Sequence, residues 1–445
     1  MRLFVWLPGI LGSALKQRNA PGGVIWPPGQ VDAFCSRTFA QLTDDLAPDG
    51  IVEDVCVVPV YSPMTNLFRQ AGIAAYAAGT GQAEAMMPFA YDWRRSLRDV
   101  AAELADLLDA QTADGDEIVI VAHSMGALTS RYLIEADVFA GRPFSGRISK
   151  FVSINGPLLG APVMLARAMG LDQTEFIVWA DQPKLLAFAP FAGAYCLLPS
   201  PWTGRLSNAG AAIDLWNPYY YQALQFGAQN MQEAQQFWAA LDGKGCRAGV
   251  QYVLITSLLS DPATIENVDY ANGAWAYHMG DGDSAVPPWS SRPDLPGALV
   301  PDPLPGDHLG VISTPGFRAL FNQYVAPLPP APAPVLLIQP LRSHLLASGV
   351  AEFSVVETGA GADQATLTWT LLDDDGNAVA DPLAPQTVGL PDQPAPVLRV
   401  KAPNAPGNYG VDLALGGQTA HTRVVVRPAT EQSQVLQTPP PQAPQ

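Results

Sequence analysis

The chain has 445 residues, 48% of them hydrophobic and 15% charged, with a formal net charge of −17. That length exceeds what a single core serves, so more than one domain is expected in a protein of globular composition. A net charge of this sign opposes attraction to phosphate backbones and to anionic membrane surfaces, which discounts nucleic acid as a partner.

The N-terminal "RLFVWL" predicts a strand. Its apolar run before Pro8-Gly9 is only about five residues, shorter than the roughly 7 to 15 of a signal-peptide core. No run approaches the ~18 apolar residues that span a bilayer. A cytoplasmic location is therefore expected, with export by a signal-independent route as the alternative. Cys35, Cys56, Cys196 and Cys246 show no CxxC spacing, and reduced thiols are expected, with no metal or cofactor.

Further along, "SLRDVAAELADLLDA" puts Leu97, Val100, Leu104 and Leu107/Leu108 on one helical face. "EIVIVA" reads as a buried strand, "MGALTSRYLIEAD" as a helix, and "FVSIN" and "QYVLITS" as later strands. Continuous apolar strands between amphipathic helices indicate an α/β domain, residues 1–325, with a parallel sheet covered on both sides. An insertion at 163–248 holds Trp179, Trp202, Trp216, Trp238 and the run Tyr219-Tyr220-Tyr221. Within it, "NPYYYQALQFGAQNMQEAQQFWAALDGKG" predicts one helix, with Asn217 as N-cap, Pro218 at N1 and glycines closing it. The insertion reads either as extra core packed on the sheet or as an apolar cap over an active site. "APLPPAPAP", 326–334, is a linker. Residues 335–428 carry strand-turn-strand chemistry, as in "ATLTWTLLDDDGNAVA", and form a small all-β sandwich of immunoglobulin-like or fibronectin-like size. The Gln- and Pro-rich tail, 429–445, is expected to be disordered.

The chemistry concentrates at "VAHSMGA". A strand entering a helix through Ala122-His123-Ser124-Met125-Gly126 matches the nucleophile elbow, with alanine in place of the first glycine. Small neighbours are needed because the serine sits in a tight, strained turn. The Met125 amide, at the helix start, would then face a developing oxyanion. His123 adjoins the serine and must point elsewhere, and His344 and His421 fall in the β domain, which leaves His278 and His308 as bases. His308, in "PGDHLGVI" near the end of the α/β domain, fits the chain order Ser, acid, His. The acid is expected in "MGDGDSAVPPWS", which offers Asp281 and Asp283. A second oxyanion donor is expected from "LPGILGS", where Pro8-Gly9 turn the chain and present the amide of Ile10 or Leu11.

In chain order, "LPGILGS", "VIWP", "FAYDWRRS", "VAHSMGA", "INGPLLGAP", "GDGDSAVP" and "DHLGVI" resemble the lecithin:cholesterol acyltransferase-like α/β hydrolases, a family that includes lysosomal phospholipase A2. The resemblance covers residues 3–325 and implies an α/β-hydrolase fold with an inserted cap. It implies Ser124 as nucleophile, His308 as base and Asp283 as acid, with Asp281 the fallback and Ile10 and Met125 the oxyanion donors. Asp92 and Arg94 of "YDWR" are implied to be a scaffold pair holding loops near the site. Many relatives are secreted and carry a disulfide after the oxyanion turn; Cys35 and Cys56 lie in that region at positions that do not match. The C-terminal β domain is outside the resemblance.

The reading is a serine acyl-ester hydrolase or acyltransferase working through an acyl-enzyme on a lipid or other hydrophobic ester, neutral or zwitterionic given the acidic surface. A transient membrane-surface contact and a protein partner at the β domain are compatible with it. The alternatives are a short-chain carboxylesterase and a non-catalytic binding protein on a hydrolase scaffold.

Overall fold

The computed structural model describes residues 1–18, 23–27, 42, 44–55, 58–171, 191–329, 336–342, 344–357, 364–373, 376–389 and 397–427. Cys35, Cys56, Trp179, part of the 326–334 linker and the 429–445 tail lie outside the described residues. The chain divides into two compact units, one built from Met1–Val52 and Gly72–Leu304, the other from Glu53–Ala71 and Pro305–Glu431.

The first unit is organised around five strands: β1 (Arg2–Leu7), β2 (Glu84–Pro88), β3 (Glu117–His123), β4 (Ile148–Ile154) and β5 (Gln251–Ile255). They lie in the order β5-β4-β3-β1-β2, and every pairing is parallel. Parallel strands need crossovers, and two of these are helices: α1 (Leu97–Gln111) between β2 and β3, and α2 (Met125–Glu135) between β3 and β4. As the apolar spacing predicts, Leu97, Val100, Leu104 and Leu108 of α1 are wholly buried. Ser96 caps that helix by accepting from the Arg98 amide. Leu3 through Leu7 are inaccessible on both faces of β1, the signature of a sheet covered on two sides.

The strands end in register. Leu7 pairs with Ala122, His123 with Ile154, and Ile154 with Ile255. One edge of the sheet therefore gathers the Pro8–Ser13 turn, Ser124 and Asn155, and the carboxyl edge of an open α/β sheet is where such folds place their ligands.

Between β4 and β5 runs the aromatic insertion. Its predicted single helix is two, Pro218–Ala223 and Ala228–Ala239. Asn217 does cap the first, accepting from the Tyr219 amide at 3.0 Å. The break comes at Gln225, which takes a left-handed φ of 61°, and Gly227, whose amide donates to the Tyr195 hydroxyl. Burying Phe226 edge-on against Tyr195 outweighs one unbroken helical ladder. Trp216, Tyr221 and Trp238 join the same hydrophobic core as the sheet, whereas Trp202 and Tyr219 remain exposed. A strand of the insertion, Leu206–Asn208, pairs with the hairpin Thr264–Ala271/Ala274–Gly280 that follows β5, so both excursions build one small sheet.

In the second unit, helix Pro315–Tyr324 opens at Thr314, whose hydroxyl accepts from the Phe317 amide at 3.1 Å. It sets Phe321 edge-on to Phe68 of helix Ser62–Gln70. Among the described residues the all-β part has two sheets, one of three strands and one of five, over a shared core in which Trp369 contacts Phe353 and Tyr409. Asp374 and Asp375 of the expected turn lie outside the described residues; the Asp373 amide donates to Asn377 O, and the chain that follows makes a bridge, Leu372 to Ala378, and gives the Val379 and Leu383 amides to Leu371 O and Trp369 O before Gln386–Gly389 pairs with Gln364–Leu372. Among the described residues no helix is long and apolar enough to cross a membrane.

Candidate active site

Ser124 stands between β3 and α2 with φ 53° and ψ −126°. A non-glycine residue in such a region costs about 1–3 kcal/mol, and the surroundings hold it there. Its amide donates to Ile154 O at 2.9 Å, tying the turn to β4, and its carbonyl accepts from the Ala127 amide at 2.9 Å to begin the helix. The hydroxyl is not used as a cap. Ser124 is 5% exposed.

Gly126 explains the small residue after the serine. A Cβ there would run into Pro8 O and lie 2.8 Å from Leu7 Cβ, so only glycine lets the helix start rest on the end of β1. The Met125 amide is among those a helix start leaves without an intrahelical acceptor, and the α2 dipole adds positive potential at that point. Across from it, the turn after β1 is closed by Gly12 N–H to Gly9 O, with Ile10 buried and Leu11 at φ 63°.

The turn is braced from outside. The Tyr91 hydroxyl donates to Pro8 O at 2.8 Å, Trp26 Nε1 to Leu11 O at 2.7 Å, and Trp93 Nε1 to Ser13 O at 3.2 Å. Between these aromatics Asp92 and Arg94 form a two-pronged ion pair, Nε to Oδ1 at 2.8 Å and Nη2 to Oδ2 at 2.7 Å. Arg94 Nη1 also reaches Leu42 O and Asp44 O, so the pair fastens a distant loop segment.

The two candidate acids differ sharply. Asp283 is 1% exposed and its Oδ1 accepts from the Ala285 and Val286 amides at 2.9 and 2.6 Å, whereas Asp281 is exposed. Ser284 N–H to Thr264 Oγ1 fixes the same loop to the hairpin. His278 is exposed on that hairpin's outer strand, and His123 is buried. His308 belongs to the second unit, where it is 7% exposed beside Asp307, whose Oδ1 accepts from the Gly310 amide.

The sequence reading passed over Asn155. It is wholly buried at φ 47°, with its side chain exchanging two 2.8 Å hydrogen bonds with Ser257, Nδ2 to Oγ and Oδ1 from the amide. This locks the ends of β4 and β5 together. An asparagine closing an apolar strand before glycine is the available signal, since asparagine tolerates the left-handed region.

A search of curated proteins returned no match. Among solved structures, the sulfur carrier protein SoxY from Chlorobium limicola f thiosulfatophilum is 16% identical, over 22% of this chain and 80% of its own, with a TM-score of 0.14. The Pseudomonas fluorescens alkylpurine DNA glycosylase AlkC is 14% identical over 21% and 29%, also at 0.14. A Cellulomonas fimi endo-beta-1,4-mannanase double mutant is 11% identical over 74% and 69%, at 0.17. TM-scores this low define no common fold. Residues 68–209 match the family model of lecithin:cholesterol acyltransferase, a span containing Ser124 and the Asp92–Arg94 pair but neither Asp283 nor His308. Over that span the chain is similar to the lecithin:cholesterol acyltransferase family.

Proposed function

We propose that the protein is a serine acyl-ester hydrolase or acyltransferase acting on lipid esters, with Ser124 as nucleophile, His308 as base and Asp283 as acid. The observation that carries the reading is the strained backbone at Ser124, wedged against the first strand through Gly126, inside the stretch that matches the family. The family match supports lipid acyltransferase or phospholipase-type activity in general terms.

In this reading His308 takes the proton from Ser124 Oγ as the oxygen attacks the ester carbonyl carbon. The carbonyl π electrons move onto oxygen, and the Ile10 and Met125 amides stabilise that charge. Collapse of the tetrahedral intermediate breaks the ester C–O bond, and the departing alcohol leaves with the proton from His308. Water or an acceptor alcohol, deprotonated in turn by His308, attacks the acyl-enzyme and releases the acyl group with Ser124 restored. Asp283 orients the imidazole and stabilises its cation. The burial of Asp283 and its anchoring by two amides support it over Asp281.

Hydrolysis of p-nitrophenyl esters from acetate to palmitate, by wild type and Ser124→Ala, tests the proposal. Turnover that rises with chain length and falls on the order of 10⁴-fold or more in the variant is expected. Equal turnover in both proteins would refute the serine mechanism, and turnover confined to acetate and butyrate would make the protein a short-chain esterase.

A further inference from the structure

Loop 155–161, which follows β4, is bonded to three other parts of the first unit. Towards the helix of the nucleophile, Arg131 Nη1 donates to Leu158 O at 2.6 Å, and that guanidinium is itself buried and paired with Glu135 at 2.9 Å. Gly156 lies so close to α2 that a Cβ would be 2.7 Å from Ala127 Cβ. Towards the insertion, the Ala161 amide donates to Leu197 O at 2.8 Å and the Ser200 amide to Leu159 O at 3.0 Å. Gly160, at φ 82°, packs so tightly that a Cβ would be 2.7 Å from Pro199 Cα.

The third attachment is Ser290, in the short helix Pro288–Ser291 just beyond the Asp283 loop. It is 0% exposed. Its carbonyl accepts from the Leu158 amide at 3.1 Å, and its hydroxyl accepts from the Leu159 amide at 3.1 Å and donates to Gly160 O at 2.5 Å. The hydroxyl is thus used in both directions on one loop. At its other end the acid segment is pinned by Leu259 N–H to Gly282 O and by Ser284 N–H to Thr264 Oγ1, both at 2.9 Å.

We propose that Ser290 is a positioning residue for the reaction: through loop 156–160 it fixes the segment carrying Asp283 relative to the helix that begins at Ser124. The inference rests on the serine-hydrolase reading above. Its physical basis is that the nucleophile and the acid belong to separate elements with no covalent neighbour in common. A misplacement of ~1 Å in such a constellation can cost about 10²-fold in rate, so the link that sets their separation matters to turnover.

The test is ester hydrolysis by the full chain, wild type against Ser290→Ala and Ser290→Thr, with reactive serines counted by a fluorophosphonate so that kcat refers to competent sites. Ser290→Ala is expected to lower kcat per titrated serine by ~10-fold or more while KM stays within about twofold. Because a loosened carboxylate supports the imidazolium less, the acid limb of the kcat/KM profile should move to lower pH. Ser290→Thr keeps a hydroxyl able to make both bonds and should recover most of the rate. A Ser290→Ala protein with reduced Tm but wild-type kcat per titrated serine and an unmoved acid limb would overturn the proposal, leaving the residue a packing element only. If Ser290→Ala does not fold, Ser290→Cys, a weaker donor and acceptor, decides by the same readouts: a reduced kcat with a shifted limb supports the role, and wild-type values refute it. Activity surviving in Ser124→Ala would instead remove the serine-hydrolase reading itself, an outcome distinct from any result at Ser290.

Discussion

Ser124 and Gly126 are coupled by geometry: the serine keeps its left-handed turn because the residue two places on has no side chain to hold the helix away from Pro8. Gly126→Ala should therefore destabilise by about 1–3 kcal/mol through overpacking and lower turnover in parallel, measured by denaturant titration and ester hydrolysis. An unchanged midpoint would show that α2 can shift freely. The Asp92–Arg94 pair invites a larger effect, since Asp92→Ala strands a buried guanidinium. A loss of ~3–5 kcal/mol is expected. Cys196 offers a chemical check on burial: it is inaccessible, and desolvation pushes its thiol up to about 12. Iodoacetamide at neutral pH should leave it unmodified in the native protein and alkylate it after unfolding, as read by peptide mass.

At the scale of elements, the helix-strand pattern of the first unit was legible because its strands are apolar on both faces and α1 is apolar on one. The helix of the insertion was not. Its periodicity runs through Gln225-Phe226-Gly227, and nothing local announces that Phe226 turns in to meet Tyr195. The first of the two resulting helices is short, so its start should matter: Asn217→Ala is expected to cost ~1 kcal/mol, seen as a lowered Tm. No change would mean that burial of Tyr221 and Trp216 alone holds that segment. Asn155 belongs at this scale too, because its side chain closes the gap between two strand ends rather than serving its own segment.

The whole molecule holds separate hydrophobic cores, one through the parallel sheet and insertion and one between the C-terminal sheets. Thermal unfolding followed by calorimetry should then depart from a single two-state transition. Trp369→Ala, which empties the centre of the smaller core, should lower one transition by about 3–5 kcal/mol equivalent and leave the other in place. One transition with equal calorimetric and van't Hoff enthalpies, shifted as a whole by the substitution, would show the two units to unfold together.

The amino-acid sequence by itself determined the alternation of strand and helix, the elbow at Ser124, the turn after the first strand and the all-β character of the C-terminal region. Each of these is written in side-chain periodicity or in small residues at fixed spacing, which act over a few neighbours along the chain. The burial of Asp283 against the exposure of Asp281, the break in the insertion's helix, the joining of the two excursions into one sheet, and the hydrogen bonds of Asn155 and Ser290 were decided only by tertiary structure. They depend on which groups lose water and which distant amides they meet in exchange. A carboxylate in a glycine-rich loop looks the same in sequence whether it faces solvent or receives two buried amides.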